Sequence, residues 1–169
     1  MKKRHLTKFI ILSFISVLIT RLLPHPPNFT SAIALSFYLP ALFGYKCIIV
    51  AISAFVISDF ILGIHNLIFF TWSSIVLVGL LSRYFSNYYL RIIGIFLSCF
   101  IFYLFSNFGV WLVSDLYSND IDGLIKCYFM GLPFFQNTLM SSIVISVIIE
   151  LFISMSFAKN YIEKINSIT

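Results

Sequence analysis

The chain has 169 residues, of which 60% are hydrophobic and 10% charged, with a formal net charge of +5. Ordinary soluble domains carry roughly 25% charged residues, so this composition excludes a water-soluble domain, and the mean hydropathy of +1.02 indicates lipid as the main solvent. The net charge does not indicate a nucleic-acid partner, because basic residues beside anionic inner-leaflet lipid explain it.

The N-terminus has the outline of a secretory signal. Lys2, Lys3 and Arg4 precede an apolar run that extends to Ile19. No Ala-x-Ala-like cleavage site follows, and the sequence passes through Arg21 directly into more hydrophobic residues. We therefore expect a retained first membrane span.

Six apolar segments follow one another along the chain. The second and fourth are shorter than the roughly 20 residues that cross about 30 Å of hydrocarbon upright, so broken or partly inserted helices are an alternative there. The pattern predicts an all-α, polytopic protein with a single six-helix transmembrane domain over residues 1–169 and a long outer loop at 107–137. The spans cover about residues 7–22, 29–43, 46–63, 69–85, 90–106 and 138–159.

The basic residues predict how these spans are oriented. Lys and Arg in short loops tend to stay on the cytoplasmic side of a membrane. With six spans and both termini cytoplasmic, only Arg21 and Lys126 lie outside. The inner side then holds Lys2, Lys3, Arg4, Lys8, Lys46, Arg83, Arg91, Lys159 and Lys164. Removing one span would move the last two lysines to the wrong face.

Cysteine and histidine do not form a recognisable metal motif. Cys47, Cys99 and Cys127 are odd in number, widely separated and never arranged as Cys-x-x-Cys, and the histidines do not cluster. We therefore predict neither a metal site nor a cofactor.

Two acidic residues lie within predicted spans, where a buried charge is costly and so marks a candidate site. Asp59 lies near the outer end of the third span, beside Ala51, Ala54 and Ser58 at helical spacing, a pattern that allows helices to approach closely. Two interpretations are open for Asp59. It either hydrogen-bonds the end of a neighbouring helix or lines an outward-facing cavity.

Glu150 lies deeper in the last span. It continues a stripe of serines at four-residue spacing, which predicts that this side of the helix faces protein, and an internal ion pair with Arg83 or Arg91 is expected. The stripe consists of Ser142, Ser146, Glu150 and Ser154. Because Asp59 and Glu150 lie at different depths, they do not form a general acid and base pair, which argues against an enzyme.

The remaining polar groups converge on the outer side. The segments at 21–30, 65–66 and 106–111 and the predicted loop at 107–137 combine aromatic rings with Arg, His, Asp and Asn side chains. Prolines 24, 26 and 27 stiffen the first of these segments. Such a mixture is typical of a small-molecule pocket. An aromatic belt at the lipid headgroups is the competing interpretation for Trp111, Tyr117 and Tyr128.

Four stretches carry a family resemblance: residues 21–30, Ser58-Asp59 with Gly63 and His65, residues 106–111, and residues 127–138. They resemble a family of small, uncharacterised bacterial membrane proteins described as transport proteins. That family is similar to the substrate-binding S components of energy-coupling factor transporters.

The resemblance implies a six-helix subunit in the bacterial inner (plasma) membrane. Such a subunit binds a vitamin-like micronutrient beneath its outer loops and works with a transmembrane coupling subunit and ATPases. This chain has no Gly-rich Walker loop that could supply the energy. Where S components carry Ala-x-x-x-Ala on the first helix, it has Ser13, Ser16 and Thr20.

The sequence thus predicts a non-enzymatic subunit for uptake of a small solute, with the lipid bilayer, that solute and an energising subunit as partners. Arg21 is the expected partner of an anionic group. Two alternatives stay open: a membrane scaffold of the cell-shape or assembly type, and a membrane-embedded enzyme that uses Asp59 with His65. The predicted binding residues are Arg21, His25, Asn28, Asp59, His65, Asn107, Trp111 and Asn137.

Overall fold

The computed structural model describes residues 2–85, 87–155 and 160, and its regular structure in this part is helical throughout. The predicted all-α class is confirmed there. Two short 3-10 turns, Tyr45–Cys47 and Ser82–Tyr84, precede α3 and follow α4. The six α-helices are α1 (Lys2–Leu22), α2 (Ala32–Phe43), α3 (Ile48–Leu62), α4 (Ile68–Leu81), α5 (Tyr88–Val113) and α6 (Ile121–Ser154).

Three helical segments in the described part are long and apolar enough to cross a membrane: Tyr45–Leu62, Tyr88–Val113 and Ile121–Ser154. The other apolar helical segments, Phe9–Leu22, Ala32–Phe43 and Ile68–Tyr84, are shorter. Large apolar side chains are exposed on every α-helix except α2. These lengths and this surface are consistent with a membrane protein.

Helix α2 is the central element. Its twelve residues rise about 18 Å, well short of the roughly 30 Å hydrocarbon thickness, yet ten of its side chains are buried. It packs against all five other α-helices. A helix that is apolar all round is a buried one. Because protein surrounds α2, its length does not have to match the hydrocarbon thickness. A Cβ at Gly94 of α5 would lie only 2.5 Å from the Phe37 ring of α2, so a glycine at this position allows the close contact.

The small residues of α3 are buried, as the helical spacing predicts. Ala51, Ala54 and Ser58 are almost completely enclosed, and α3 packs against α1, α2 and α4. Because these side chains are small, the neighbouring helices come close at this face. The close packing holds Asp59, the next residue, inside the protein.

The prediction of a long outer loop at 107–137 is wrong. Helix α5 continues to Val113 and α6 already begins at Ile121, so the connection covers only residues 114–120. The sixth helix accordingly starts well before residue 138 and has 34 residues.

Glycine and proline within this region explain the error, because both residues usually indicate loops. Gly131 instead allows α6 to approach α5, since a Cβ there would overlap Asn107. A Cβ at Gly109 would likewise lie 2.5 Å from the Phe70 ring, so glycine makes room for that ring. Pro133 lies inside α6, and helices packed in a membrane tolerate an internal proline because neighbouring groups compensate the lost hydrogen bond.

The 114–120 connection is held by its own hydrogen bonds. Asp120 caps α6, accepting from the Gly123 N–H at 2.7 Å and the Ser118 hydroxyl at 2.8 Å. The Gly123 N–H and then the Ser118 hydroxyl hold the pKa of the Asp120 carboxyl below its usual value. Trp111 on α5 donates to the Ser118 carbonyl at 3.0 Å. The helix pair is therefore joined by a short, defined turn.

Candidate functional site

A cavity of about 130 Å³ lies where the end of α1, the start of α2 and the end of α3 meet. Helices α5 and α6 complete its wall. The lining combines polar and apolar side chains, which is typical of a site for a small molecule. The lining residues are Arg21, His25, Asn28, Thr30, Ala32, Ile33, Phe55, Leu62, Phe102 and Thr138.

Arg21, in the last turn of α1, is the charged residue of this lining. Its guanidinium stacks on the Phe55 ring with 3.6 Å between Cζ and the ring centroid, and Nη2 forms an ion pair with Asp59. The side chain is 15% exposed, and Nε is buried without a hydrogen-bond partner in the described part of the chain. The cavity wall thus holds an oriented cation with unused donor capacity.

Asp59 lies behind Arg21 and not in the cavity lining. Its side chain is 1% exposed, and Oδ2 accepts from Trp72 Nε1 of α4 at 2.7 Å. Asp59 and Phe55 are four residues apart and so share a face of α3, which explains why both contact Arg21. Of the two interpretations of Asp59, hydrogen bonding to neighbouring helices is the one observed.

His65 also approaches this carboxylate. Gly63 ends α3 with a φ of +107°, a conformation that glycine adopts without strain, and the chain turns there. His65 Nδ1 accepts from the Leu67 N–H at 3.1 Å, so its proton lies on Nε2, which is 3.9 Å from Asp59 Oδ2. This separation is longer than a hydrogen bond.

The segment between α1 and α2, residues 23–31, supplies three of the polar lining residues, His25, Asn28 and Thr30. Asn28 adopts a φ of +62°, which asparagine tolerates better than most residues. His25 Nδ1 donates to the Pro26 carbonyl at 2.7 Å, and Asn137 of α6 donates to the Pro27 carbonyl at 3.0 Å. These bonds fix the segment over the cavity.

Hydroxyl groups join α1 to the start of α2 beneath this segment. Thr20 Oγ1 accepts from the Ser31 N–H at 3.1 Å and lies 3.0 Å from Ser31 Oγ. Ser16 Oγ donates to Ser31 Oγ at 3.2 Å. Ser16 and Thr20 are therefore engaged within this chain.

The structure brings together six of the eight predicted binding residues and leaves two apart. Arg21, His25 and Asn28 line the cavity, Asp59 and His65 stand behind Arg21, and Asn137 holds the outer segment. Asn107 lies instead at the contact between α5 and α6, where it donates to the Tyr103 carbonyl at 2.9 Å. Trp111 lies on α5 and bonds to the 114–120 connection.

Seven of the ten lining residues were not predicted, and two of these, Phe55 and Thr138, had a signal. Phe55 precedes Asp59 by one helical turn, and Thr138 follows Asn137 directly. Thr30 belongs to the polar outer segment but was not singled out. Phe102 is one of 20 phenylalanines, and nothing in the sequence distinguishes it. Trp72, the second partner of Asp59, stands in an apolar run and gave no signal either.

A second polar cluster lies on α6 about 18 Å along the helix from Thr138, twelve residues later. Arg91 of α5 donates to both oxygens of Glu150, at 2.6 and 2.9 Å, and Tyr38 of α2 donates to the same carboxylate at 2.8 Å. The predicted internal ion pair of Glu150 is confirmed, with Arg91 as its partner. This cluster connects three helices and is separate from the cavity.

The serine stripe that leads to Glu150 faces protein for most of its length. Ser142 is fully buried and Ser146 and Glu150 are partly buried, whereas Ser154 is exposed. In the described ranges, no group of three or more His, Cys, Asp or Glu side chains is arranged to hold a metal ion.

Comparison with known proteins identifies the family of the chain. A search of the curated proteins and a search of the solved structures found no match. A model for a family of unknown function, DUF6580, matches residues 2–165. Because this match covers nearly the whole sequence, the chain belongs to the DUF6580 family.

Proposed function

We propose that this protein is a six-span subunit of the bacterial plasma membrane that binds a small solute at its outer side for uptake. The observation that carries the proposal is the cavity of about 130 Å³ with the Arg21 guanidinium fixed in its wall. Burying a charge in a membrane protein is costly and usually serves a function. Membrane anchoring alone does not require this arrangement.

The helix order supports the proposed orientation. If each of the six helices crosses the bilayer and both termini are cytoplasmic, the segments at 23–31, 63–67 and 114–120 are outside. The cavity lies beneath the first of these segments. It is then accessible from outside the cell, as uptake requires. The short helix α2 crosses within the protein, where the other helices shield it from lipid.

A separate subunit supplies the energy in this proposal, since the chain has no phosphate-binding loop of its own. Ser16 and Thr20 already bond to Ser31, so this face of α1 is not available to such a partner. The exposed apolar side chains of α1 offer an alternative contact surface. They are Ile11, Leu12, Ile15, Ile19 and Leu22.

Filling the cavity is expected to abolish solute binding without unfolding the protein. Leu62 lines the cavity and is 56% exposed, so Leu62→Trp can place an indole in the opening at little cost to the core. Ile61 is 61% exposed but outside the lining, and Ile61→Trp is the matched control. We expect at least about a tenfold loss of affinity, or 1.4 kcal/mol, for Leu62→Trp, and less than about a twofold change for Ile61→Trp.

Mass spectrometry first identifies solutes that co-purify with the protein. Thermal-shift assays with a panel of vitamins and nucleobases then measure binding. Equal binding by wild type and Leu62→Trp would place the solute elsewhere and refute this site. If no solute binds, and deletion alters cell shape while a protein partner is recovered, the scaffold hypothesis replaces uptake.

Cysteine labelling tests the six-span topology. In a variant whose three native cysteines are alanine, we expect a membrane-impermeant maleimide to label Asn66→Cys and Asn119→Cys on intact cells. Tyr45→Cys and Tyr89→Cys should react only after the membrane is opened, because in this topology the turn before α3 and the first turn of α5 face the cytoplasm. All four positions are exposed. Equal labelling of Asn66→Cys and Tyr45→Cys on intact cells would mean that α3 does not cross.

A further inference from the structure

We infer that the cavity accepts an uncharged solute, about the size of one aromatic ring, that carries a hydrogen-bond acceptor, and that it discriminates against the corresponding anion. The inference rests on the proposed function and specifies the chemical class of its solute. It also differs from the expectation that Arg21 binds an anionic group. Three properties of the cavity support it: its volume, its charge balance and its free donors.

The volume limits the size of the solute. A cavity of about 150 Å³ in a protein core holds a benzene molecule, and pockets for drug-sized ligands start at about 300 Å³. At about 130 Å³, this cavity has room for a single ring with a small substituent. The rings of Phe55 and Phe102 and the side chains of Ile33 and Leu62 supply an apolar surface for that ring.

The charge balance disfavours an anion. Arg21 is the charged residue among those that line the cavity, and its guanidinium is already neutralised by the fully buried Asp59 carboxylate. An anionic solute would therefore bring an uncompensated negative charge beside the buried Asp59 carboxylate, which is unfavourable. A neutral solute leaves the ion pair balanced. His25 also belongs to the lining, and His65 Nε2 lies 3.9 Å from Asp59 Oδ2.

Unused donors in the lining favour a solute that carries a hydrogen-bond acceptor. The exposed Asn28 amide makes no hydrogen bond within the described residues, and Arg21 uses only Nη2 in its ion pair. Thr30 Oγ1 accepts from the Ala32 N–H at 3.4 Å and so keeps its own proton free to donate. Side chains with unused donors thus belong to the lining, and a carbonyl or ring nitrogen would satisfy them.

Benzamide and benzoate test this inference, because they have the same ring and nearly the same shape but differ in charge. We expect the purified wild-type protein at pH 8 to bind benzamide at least about tenfold more tightly than benzoate, measured by calorimetry, with Leu62→Trp as the blocked control. Equal or tighter binding of benzoate at the Leu62 site would overturn the inference while leaving the proposed function intact.

Asp59→Asn gives a second, independent test. This change keeps an oxygen that can accept from Trp72 but removes the negative charge, so Arg21 becomes uncompensated. We expect the preference to reverse, with benzoate at least about tenfold tighter than benzamide, whereas Asp122→Asn, at an exposed position of α6, should keep the wild-type preference. If Asp59→Asn does not fold, Arg21→Gln with Asp59→Asn removes both charges and should still favour benzamide. A folded Asp59→Asn protein without the reversal would contradict the inference.

If neither probe binds, the charge of the co-purifying solute decides. A neutral one-ring solute supports the inference, and an anion overturns it but still supports uptake. The absence of any bound solute refutes both the inference and the proposed function.

Discussion

Glu150→Ala is expected to lower the free energy of unfolding by about 3–5 kcal/mol, because it leaves the largely buried Arg91 guanidinium without its counter-charge. Tyr38 loses its acceptor in the same variant, so three helices lose a common contact. Unfolding of the detergent-solubilised protein by SDS measures this difference.

Two further variants distinguish loss of the pair from loss of any acidic residue. Asp122→Ala removes an exposed acid from α6 and should change stability by less than about 0.5 kcal/mol. Replacing both partners with apolar residues, as in Arg91→Met with Glu150→Leu, should recover most of the lost stability, since no buried charge is then left unpaired. A Glu150→Ala protein within about 1 kcal/mol of wild type would show that water solvates the cluster.

Asp59→Ala is expected to have an effect of similar size, about 3–5 kcal/mol, at the other end of the protein. Its carboxylate is 1% exposed and connects α3 to Arg21 of α1 and Trp72 of α4. Removing it isolates the Arg21 cation beside the cavity. The free energy of unfolding again measures this effect. Solute binding should weaken as well, because Arg21 is no longer held against Phe55.

The matched control for this prediction is Asp115→Ala, an exposed acid in the 114–120 connection, which should leave both stability and binding near wild type. Arg21→Met with Asp59→Leu should regain stability but not solute binding, because the double variant lacks the guanidinium donors. Recovery of both properties would mean that Arg21 has only a structural role.

The contrast between helix prediction and loop prediction has a physical basis. Five of the predicted spans overlap closely with α1 to α5, because long apolar runs must be helical where no water can satisfy the backbone. The predicted loop at 107–137 failed because Gly109, Gly131 and Pro133 are loop signals only when no neighbouring helix packs against them. Here Asn107 and Phe70 occupy the space that the glycines leave, and this contact is invisible in one sequence.

Some features of the candidate site could likewise be predicted from the sequence, and others could not. Arg21, His25 and Asn28 could be predicted because polar residues gathered beside the first span are unusual in so apolar a chain. The pairing of Arg21 with Asp59 could not, since these residues are 38 positions apart and meet only through the packing of α1 against α3. Asn107 and Trp111 have the same polar and aromatic character as the lining residues, yet the helix extension to Val113 carries them away from the cavity.

By itself, the sequence indicated a membrane protein and determined the helical secondary structure, the approximate positions of the first five helices and the presence of costly charges within them. These properties follow from composition and local pattern, because lipid imposes its requirements on each segment separately. Only the tertiary structure decided that α2 is enclosed by the other helices, that α6 begins at Ile121, and which partner neutralises each buried charge. Such features depend on contacts between distant segments, where shape and charge complementarity act across helices.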